Sequence, residues 1–307
     1  MNKLAIVFPG QGSQSLGMLS ELSQNHQIFR DTFSEASEVV GYDLWSLTVN
    51  GPLDKLNETF RTQPILLASS VAIWRVWKHL NKPMPDYLAG HSLGEYSALV
   101  CADSISFKDG IALVEQRGRF MQEAVPAGVG AMSAIIGLST ENIMDACNQA
   151  SNDKSVVAPV NFNAPGQIVI AGNIEAVEKA NKVCKEMGAK RALMLPVSVP
   201  SHCILMKPAA EKLIAELDKI EFLNPKIPVI QNYDCKSNTE IADIKQSLIK
   251  QLYNPVRWIE TIELLASCGV DSVVEMGPGK VLTGLNKRIA KELNLHAVND
   301  LASLNSL

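Results

Sequence analysis

Short apolar runs alternate with amphipathic stretches along most of this chain, and that rhythm constrains the fold more than any other feature. Leu4–Phe8 and Tyr87–Ala89 read as strands, the second ending at Gly90. Leu66–Leu80, Leu93–Ala102 and Asp109–Ala124 carry helical periodicity. Strands that alternate with helices predict an α/β protein with a mostly parallel sheet. The middle of the chain departs from this. Gly130–Ile136, Val156–Asn161, Gln167–Ala171 and Arg191–Val197 read as strands, with helices over Glu141–Ala150 and Glu175–Met187. The order β-α-β-β-α-β is that of a ferredoxin-like module. Its edges near Pro126 and Val199 make it an insertion, residues 127–198, in a larger domain of 1–126 and 199–307. The α/β rhythm then resumes, with a helix over Lys207–Asp218, strands at Pro228–Gln231 and Asp271–Glu275, and a helix from Val281.

With 307 residues and 47% hydrophobic content, the chain can bury a large core. A net charge of −4 with scattered Lys and Arg argues against nucleic acid as a partner, because a phosphate-binding surface needs clustered positive charge. No apolar run approaches the roughly 20 residues that span a bilayer. Leu4–Phe8 is also shorter than a signal-peptide core of about 7–15 residues. The six cysteines lie far apart with no C-x-x-C pair, so neither a metal framework nor a disulfide scaffold is expected. They read as reduced thiols of a cytoplasmic protein.

Gly90-His91-Ser92-Leu93-Gly94 matches G-x-S-x-G, the nucleophile elbow. By itself the pentapeptide would occur by chance in roughly one chain in ten of this length. Its context raises its weight, since a strand precedes it and a helix follows. The competing account is a glycine-bracketed turn with a solvated serine. The helix start after Ser92 would also leave the Leu93 backbone N–H free for a developing oxyanion. A nucleophilic serine needs a base. Of the five histidines, His26, His79 and His296 lie in polar or terminal stretches, and His91 is next to Ser92 on a turn where neighbours point apart. His202 follows a strand and precedes a helix, where α/β folds carry functional groups. The alternative is a histidine bonded to backbone near a helix start. No Asp or Glu stands out as a third member, and whether a main-chain carbonyl orients the imidazole stays open.

On the helix Asp109–Ala124, Arg117 falls within the apolar arc, whereas Arg119 lies opposite, between Glu115 and Glu123. A buried guanidinium must be compensated. It either pairs with an internal Asp or Glu or grips a substrate carboxylate with its fork, and the residues alone lean to the ion pair. The loop Phe8-Pro9-Gly10-Gln11-Gly12-Ser13-Gln14 has Ser15 where a dinucleotide fingerprint needs its third glycine. A loop there can instead bring a backbone N–H to an oxyanion.

Together these stretches resemble the malonyl-CoA:acyl carrier protein transacylase family of bacterial type II fatty acid synthesis. The resemblance runs through Gln116-Arg117-Gly118, Pro200-Ser201-His202, Gln251-Leu252-Tyr253-Asn254-Pro255-Val256 and Glu275-Met276-Gly277-Pro278-Gly279, almost the whole chain. It implies an α/β-hydrolase-like core with a ferredoxin-like insertion. It implies Ser92 as the acylated nucleophile, His202 as its base, and the N–H groups of Gln11 and Leu93 as the oxyanion hole. It implies that Arg117 binds the malonyl carboxylate, against the leaning above, and that the main-chain carbonyl at Gln251 orients the histidine. Malonyl-CoA and acyl carrier protein are the implied partners, in a ping-pong transfer without metal or cofactor. The small Ser201 leaves exclusion of methylmalonyl groups open. Lys287-Arg288 and Lys190-Arg191 are candidate contacts for an acidic carrier. A serine hydrolase and a non-catalytic carrier-binding scaffold are the rival readings.

Overall fold

The computed structural model describes residues 3–197 and 199–307; Met1, Asn2 and Ser198, the last residue of the expected insertion, lie outside the described residues. The strands are β1 (Lys3–Phe8), β2 (Tyr87–Gly90), β3 (Gly130–Ile136), β4 (Val157–Ala164), β5 (Gln167–Asn173), β6 (Arg191–Met194), β7 (Val229–Ile230), β8 (Val270–Met276) and β9 (Asn294–Val298). Five form one sheet in the order β7-β2-β1-β8-β9, and every pairing in it is parallel. Parallel strands covered on both faces read as continuous apolar runs, and β1 is such a run. Its side chains alternate between two cores: Ile6 and Phe8 join the cluster on one face, Ala5 and Val7 that on the other.

The other four strands form an antiparallel sheet in the order β4-β5-β3-β6, with the helices Thr140–Ala150 and Ile174–Glu186 on it. This is the β-α-β-β-α-β order read from the sequence. The small sheet is tied to the larger domain where the Phe162 N–H donates to the carbonyl of Val256, in the segment before the helix Trp258–Ser267, at 3.0 Å and the Val256 N–H to Val160 at 2.9 Å. No helix among the described residues is long and apolar enough to cross a membrane.

Two differences from the sequence reading matter for the site. The helix expected from Leu66 begins at Thr59 and runs to His79, with Pro64 inside it. Proline there removes one ladder bond, and a helix buried on nearly every side tolerates the loss. The extra turns carry Gln63. Edge strand β9 escapes the reading because Asn294 and His296 interrupt its short apolar run, as polar residues do at edge positions.

Close backbone approach shapes the region that follows β1 and β2. A Cβ on Gly90 would lie 1.9 Å from the carbonyl carbon of Gly94, and one on Gly94 would lie 2.0 Å from the Phe8 oxygen. Likewise a Cβ on Gly118 would lie 2.4 Å from the Cα of Phe60. That contact lets the helix Phe107–Ala124 press its Arg117 face onto the helix Thr59–His79. Glu275, at the end of β8, accepts from the N–H groups of Leu282 and Thr283 and so caps the helix Val281–Ile289. Since overpacking a tight backbone crossing costs about 1–3 kcal/mol, Gly94→Ala should lower the urea unfolding midpoint by the corresponding amount. An unchanged midpoint would contradict the close approach.

Candidate active site

The site is built at the carboxyl ends of β1 and β2, which pair with Phe8 opposite Gly90. β2 leads into the elbow and then into the helix Leu93–Cys101. Ser92 itself has φ 53° and ψ −106°. A non-glycine residue held there stores about 1–3 kcal/mol of strain, and the turn thrusts the hydroxyl away from the backbone.

His202 arrives from a loop 110 residues later, also with positive φ, with its own N–H bonded to the Leu252 carbonyl. Its Nε2 lies 2.7 Å from Ser92 Oγ and its Nδ1 2.7 Å from the main-chain oxygen of Gln251. A carbonyl can only accept, so Nδ1 carries the hydrogen and Nε2 presents its lone pair to the serine O–H. Burial, reinforced by the charge of Arg117 and only partly offset by the Gln251 bond, depresses the imidazole to about 3. It therefore stands neutral, as a base must, throughout the ordinary pH range.

Arg117 is 1% exposed. Nη1 donates to Gln63 Oε1 at 2.7 Å, and Nη2 donates to Gln251 Oε1 at 3.0 Å and Ser92 Oγ at 3.3 Å. The guanidinium stacks 5.2 Å from the Tyr96 ring. Among the described residues it makes no ion pair, and its Nε has no partner. The structural ion pair that the residues alone favoured is thus not formed. Desolvation lowers the guanidinium's hold on its proton, with Tyr96 and Glu95 partly restoring it. Arg119 is turned outward to Glu115 at 2.8 Å; Glu123, its other expected neighbour, bonds Lys212 instead.

Gln251 links these groups. Its carbonyl takes His202, its Oε1 takes Arg117, and its Nε2 donates to the Ser92 carbonyl at 3.0 Å and to Glu95 Oε2 at 2.7 Å. Asn232, just past β7, accepts the Ser92 N–H at 2.7 Å and donates to the Gly90 carbonyl at 2.7 Å. The Ser92 N–H is therefore occupied. Those of Leu93 and Gln11 bond to no acceptor among the described residues, and both residues line the cavity that contains Ser92. Gly10 permits the two loops to approach, since a Cβ there would lie 2.6 Å from the His91 oxygen.

That cavity, of about 220 Å³, also takes in Met132 and Val169 from the small sheet, Ser201, and Val281. His91 lines it too, but is held by Asn163 at 2.8 Å rather than by the serine. Of the basic pairs, Arg288 is engaged with Gln167 and the Pro165 carbonyl. Gln63, Glu95 and Asn232 were missed by the sequence reading. Gln63 lay ahead of the helix as drawn, and Glu95 among the apolar residues of the helix after the elbow. Asn232, at the carboxyl end of a strand, carried a positional signal that went unused.

A family model described as an acyl transferase domain matches residues 5–304. The chain is 58% identical over 306 residues to a protein of Salmonella typhimurium named malonyl CoA-acyl carrier protein transacylase, covering 100% of this chain and 99% of that one. It is 56% identical over 304 residues to the Escherichia coli K12 protein of the same name, covering 99% and 98%. A crystal structure of an acyl carrier protein S-malonyltransferase from Vibrio cholerae superposes with a TM-score of 0.97 at 61% identity, covering 99% of each chain. A malonyl-transacylase solved with a type II PKS acyl-carrier protein gives 0.98 at 57%, covering 99% and 98%.

With His202 depressed to about 3, labelling of Ser92 by a sulfonyl fluoride should keep its rate from neutral pH down to about 5. A midpoint near the ordinary histidine value of about 6.5 would contradict the buried, neutral imidazole.

Proposed function

The chain belongs to the acyl transferase domain family, among the malonyl CoA-acyl carrier protein transacylases, and from that premise we propose that it moves malonyl from coenzyme A to the phosphopantetheine thiol of acyl carrier protein through a malonyl-Ser92 intermediate. The observation that carries this reading is the buried Arg117, without an ion partner among the described residues, 3.3 Å from a serine hydroxyl that bonds a neutral imidazole. A dyad alone would serve many esters and thioesters. A guanidinium beside it, bonded only to neutral groups, selects an acyl group that ends in a carboxylate.

The steps follow from the geometry. Nε2 of His202 takes the Ser92 proton as Oγ attacks the thioester carbonyl. The oxyanion forms against the N–H groups of Gln11 and Leu93, each such donor being worth about 2.7–4 kcal/mol of barrier. The Gln251 carbonyl keeps Nδ1–H in place and favours the imidazolium while it exists. As the tetrahedral intermediate collapses, the imidazolium returns its proton to the departing thiolate. The carrier thiol then gives its proton to His202, attacks malonyl-Ser92, and regenerates the hydroxyl. No electron is transferred, so coenzyme A and phosphopantetheine enter only as substrates. Arg117 holds the far carboxylate, which turns binding energy into orientation at the reacting carbon. In this reading the unit 127–198 is an insertion that closes one side of the cavity of the 1–126 and 199–307 domain. The setting is cytoplasmic supply of malonyl groups to fatty acid elongation. Lys190, Arg191, Lys287 and Arg288 are the candidate contacts for the acidic carrier.

The test is to mix the protein with labelled malonyl-CoA, with and without carrier protein. Label should appear on Ser92 with a burst of free coenzyme A, move to the carrier when it is added, and be absent from Ser92→Ala. Loss to water alone would indicate a hydrolase, and no burst would indicate a scaffold. Arg117→Ala should lower malonyl kcat/KM at least tenfold, because charged hydrogen bonds contribute about 1.5–3 kcal/mol, and acetyl transfer should survive. Equal loss of both would make the arginine structural.

A further inference from the structure

Of the buried acids among the described residues, Glu115 pairs with Arg119 and Glu275 caps a helix, whereas Glu95 is wholly buried with no cation bonded to it. It stands one turn after Ser92. Both of its hydrogen bonds fall on one oxygen: Oε2 accepts from Gln251 Nε2 at 2.7 Å and from the Asn232 N–H at 3.0 Å. Oε1 has no partner.

A side-chain amide has a donor end and an acceptor end, and its direction is set by what surrounds it. Gln251 Nε2 faces two acceptors, Glu95 Oε2 and the Ser92 carbonyl. Its Oε1 is thereby left facing the Arg117 guanidinium. Reversed, the amide would set oxygen against two oxygens and N–H groups against a cation. Glu95, through the shorter of these two bonds, acts with the Ser92 carbonyl to set which end of Gln251 meets Arg117, and Arg117 is kept aimed at the cavity. Because both donors use Oε2, a proton can join or leave Oε1 without disturbing that arrangement. The charged groups facing Glu95 are Arg117 from the helix Phe107–Ala124 and Asp234 from the segment after β7; Tyr96 adjoins it on its own helix, and His202 lies beyond Gln251.

Resting on the function proposed above, we infer that Glu95 is a positioning residue for Arg117: together with the Ser92 carbonyl it fixes the direction of the Gln251 amide and, by holding or releasing a proton on Oε1, sets how strongly the guanidinium grips a substrate carboxylate. The ionised form puts a like charge one amide away from the incoming carboxylate and weakens the grip. The neutral form does not. Burial raises the carboxyl to about 7, so the change falls within the working range. The sign follows: the KM for malonyl-CoA should rise with pH through that range, relative to acetyl-CoA, which has no carboxylate to be repelled.

The experiment compares malonyl and acetyl transfer by the intact chain, Glu95→Gln and Glu95→Met from about pH 6 to about pH 8.5, with melting temperatures recorded. The malonyl-to-acetyl KM ratio of the intact chain should rise at least about threefold across that range. Glu95→Gln, which still offers one oxygen to both donors, should keep the preference for malonyl and flatten the pH dependence. Glu95→Met should lower the malonyl-to-acetyl kcat/KM ratio about tenfold at every pH, as the amide is freed. Equal losses for both acyl groups, with the intact chain's pH dependence retained, would overturn the inference. Should neither variant fold, Gln251→Met, which keeps its main-chain carbonyl for His202, tests the same link. It should reproduce the tenfold fall, and equal loss of both activities would again refute the inference. No malonyl transfer by the intact chain would overturn the function proposed above; transfer with a flat KM ratio would overturn only the role of Glu95.

Discussion

Gln251 joins parts of the chain that have no other reason to meet. Its carbonyl holds the His202 imidazole, and its amide touches Arg117, Ser92 and Glu95 at once. It is wholly buried at the end of the helix Ile241–Gln251. One terminal carbonyl that the helix leaves unsatisfied is thus used to orient a base. In a buried site each of these bonds is costly to leave unmade, so the helix end, the elbow and the arginine-bearing helix are held in register. A neutral carbonyl in place of a carboxylate has a further consequence. It orients the imidazole without adding a negative charge that would raise its proton affinity, and burial keeps the base neutral.

The same constraint explains the apparent extravagance of burying an arginine. A guanidinium out of water is expensive unless compensated. Here two glutamine side-chain oxygens and a tyrosine ring share the compensation, and no carboxylate takes it fully. The group stays hydrogen-bonded enough to be tolerated and vacant enough to bind an anion. Glu95 lies one amide behind it, close enough to moderate its field and too far to cancel it by direct pairing.

Strain and close packing do comparable work in the backbone. Ser92 sits in a region of positive φ that only surrounding structure can enforce, and the enforcement is visible. Gly90 and Gly94 nearly touch, Gly94 lies against the end of β1, and Asn232 ties down both the Ser92 N–H and the Gly90 carbonyl. With the Ser92 N–H occupied, the first free donor of the following helix belongs to Leu93. This is why the loop after β1 matters: it can supply the facing donor from Gln11.

What the sequence determined by itself was whatever local physics encodes. Hydrophobic period separated parallel strands from the antiparallel module, glycine spacing marked the elbow, and the helical wheel turned Arg117 inward and Arg119 outward. Elimination among five histidines, read in that frame, reached His202. Tertiary structure alone decided what those residues meet. Arg117 faces two glutamines instead of an acid because Gln63 and Gln251 arrive from helices far away in sequence, and Gln63 lay in turns obscured by Pro64. Asn232 and Glu95 carry ordinary side chains in ordinary local patterns. Their importance comes from hydrogen bonds that span more than a hundred residues, and no periodicity records such a contact.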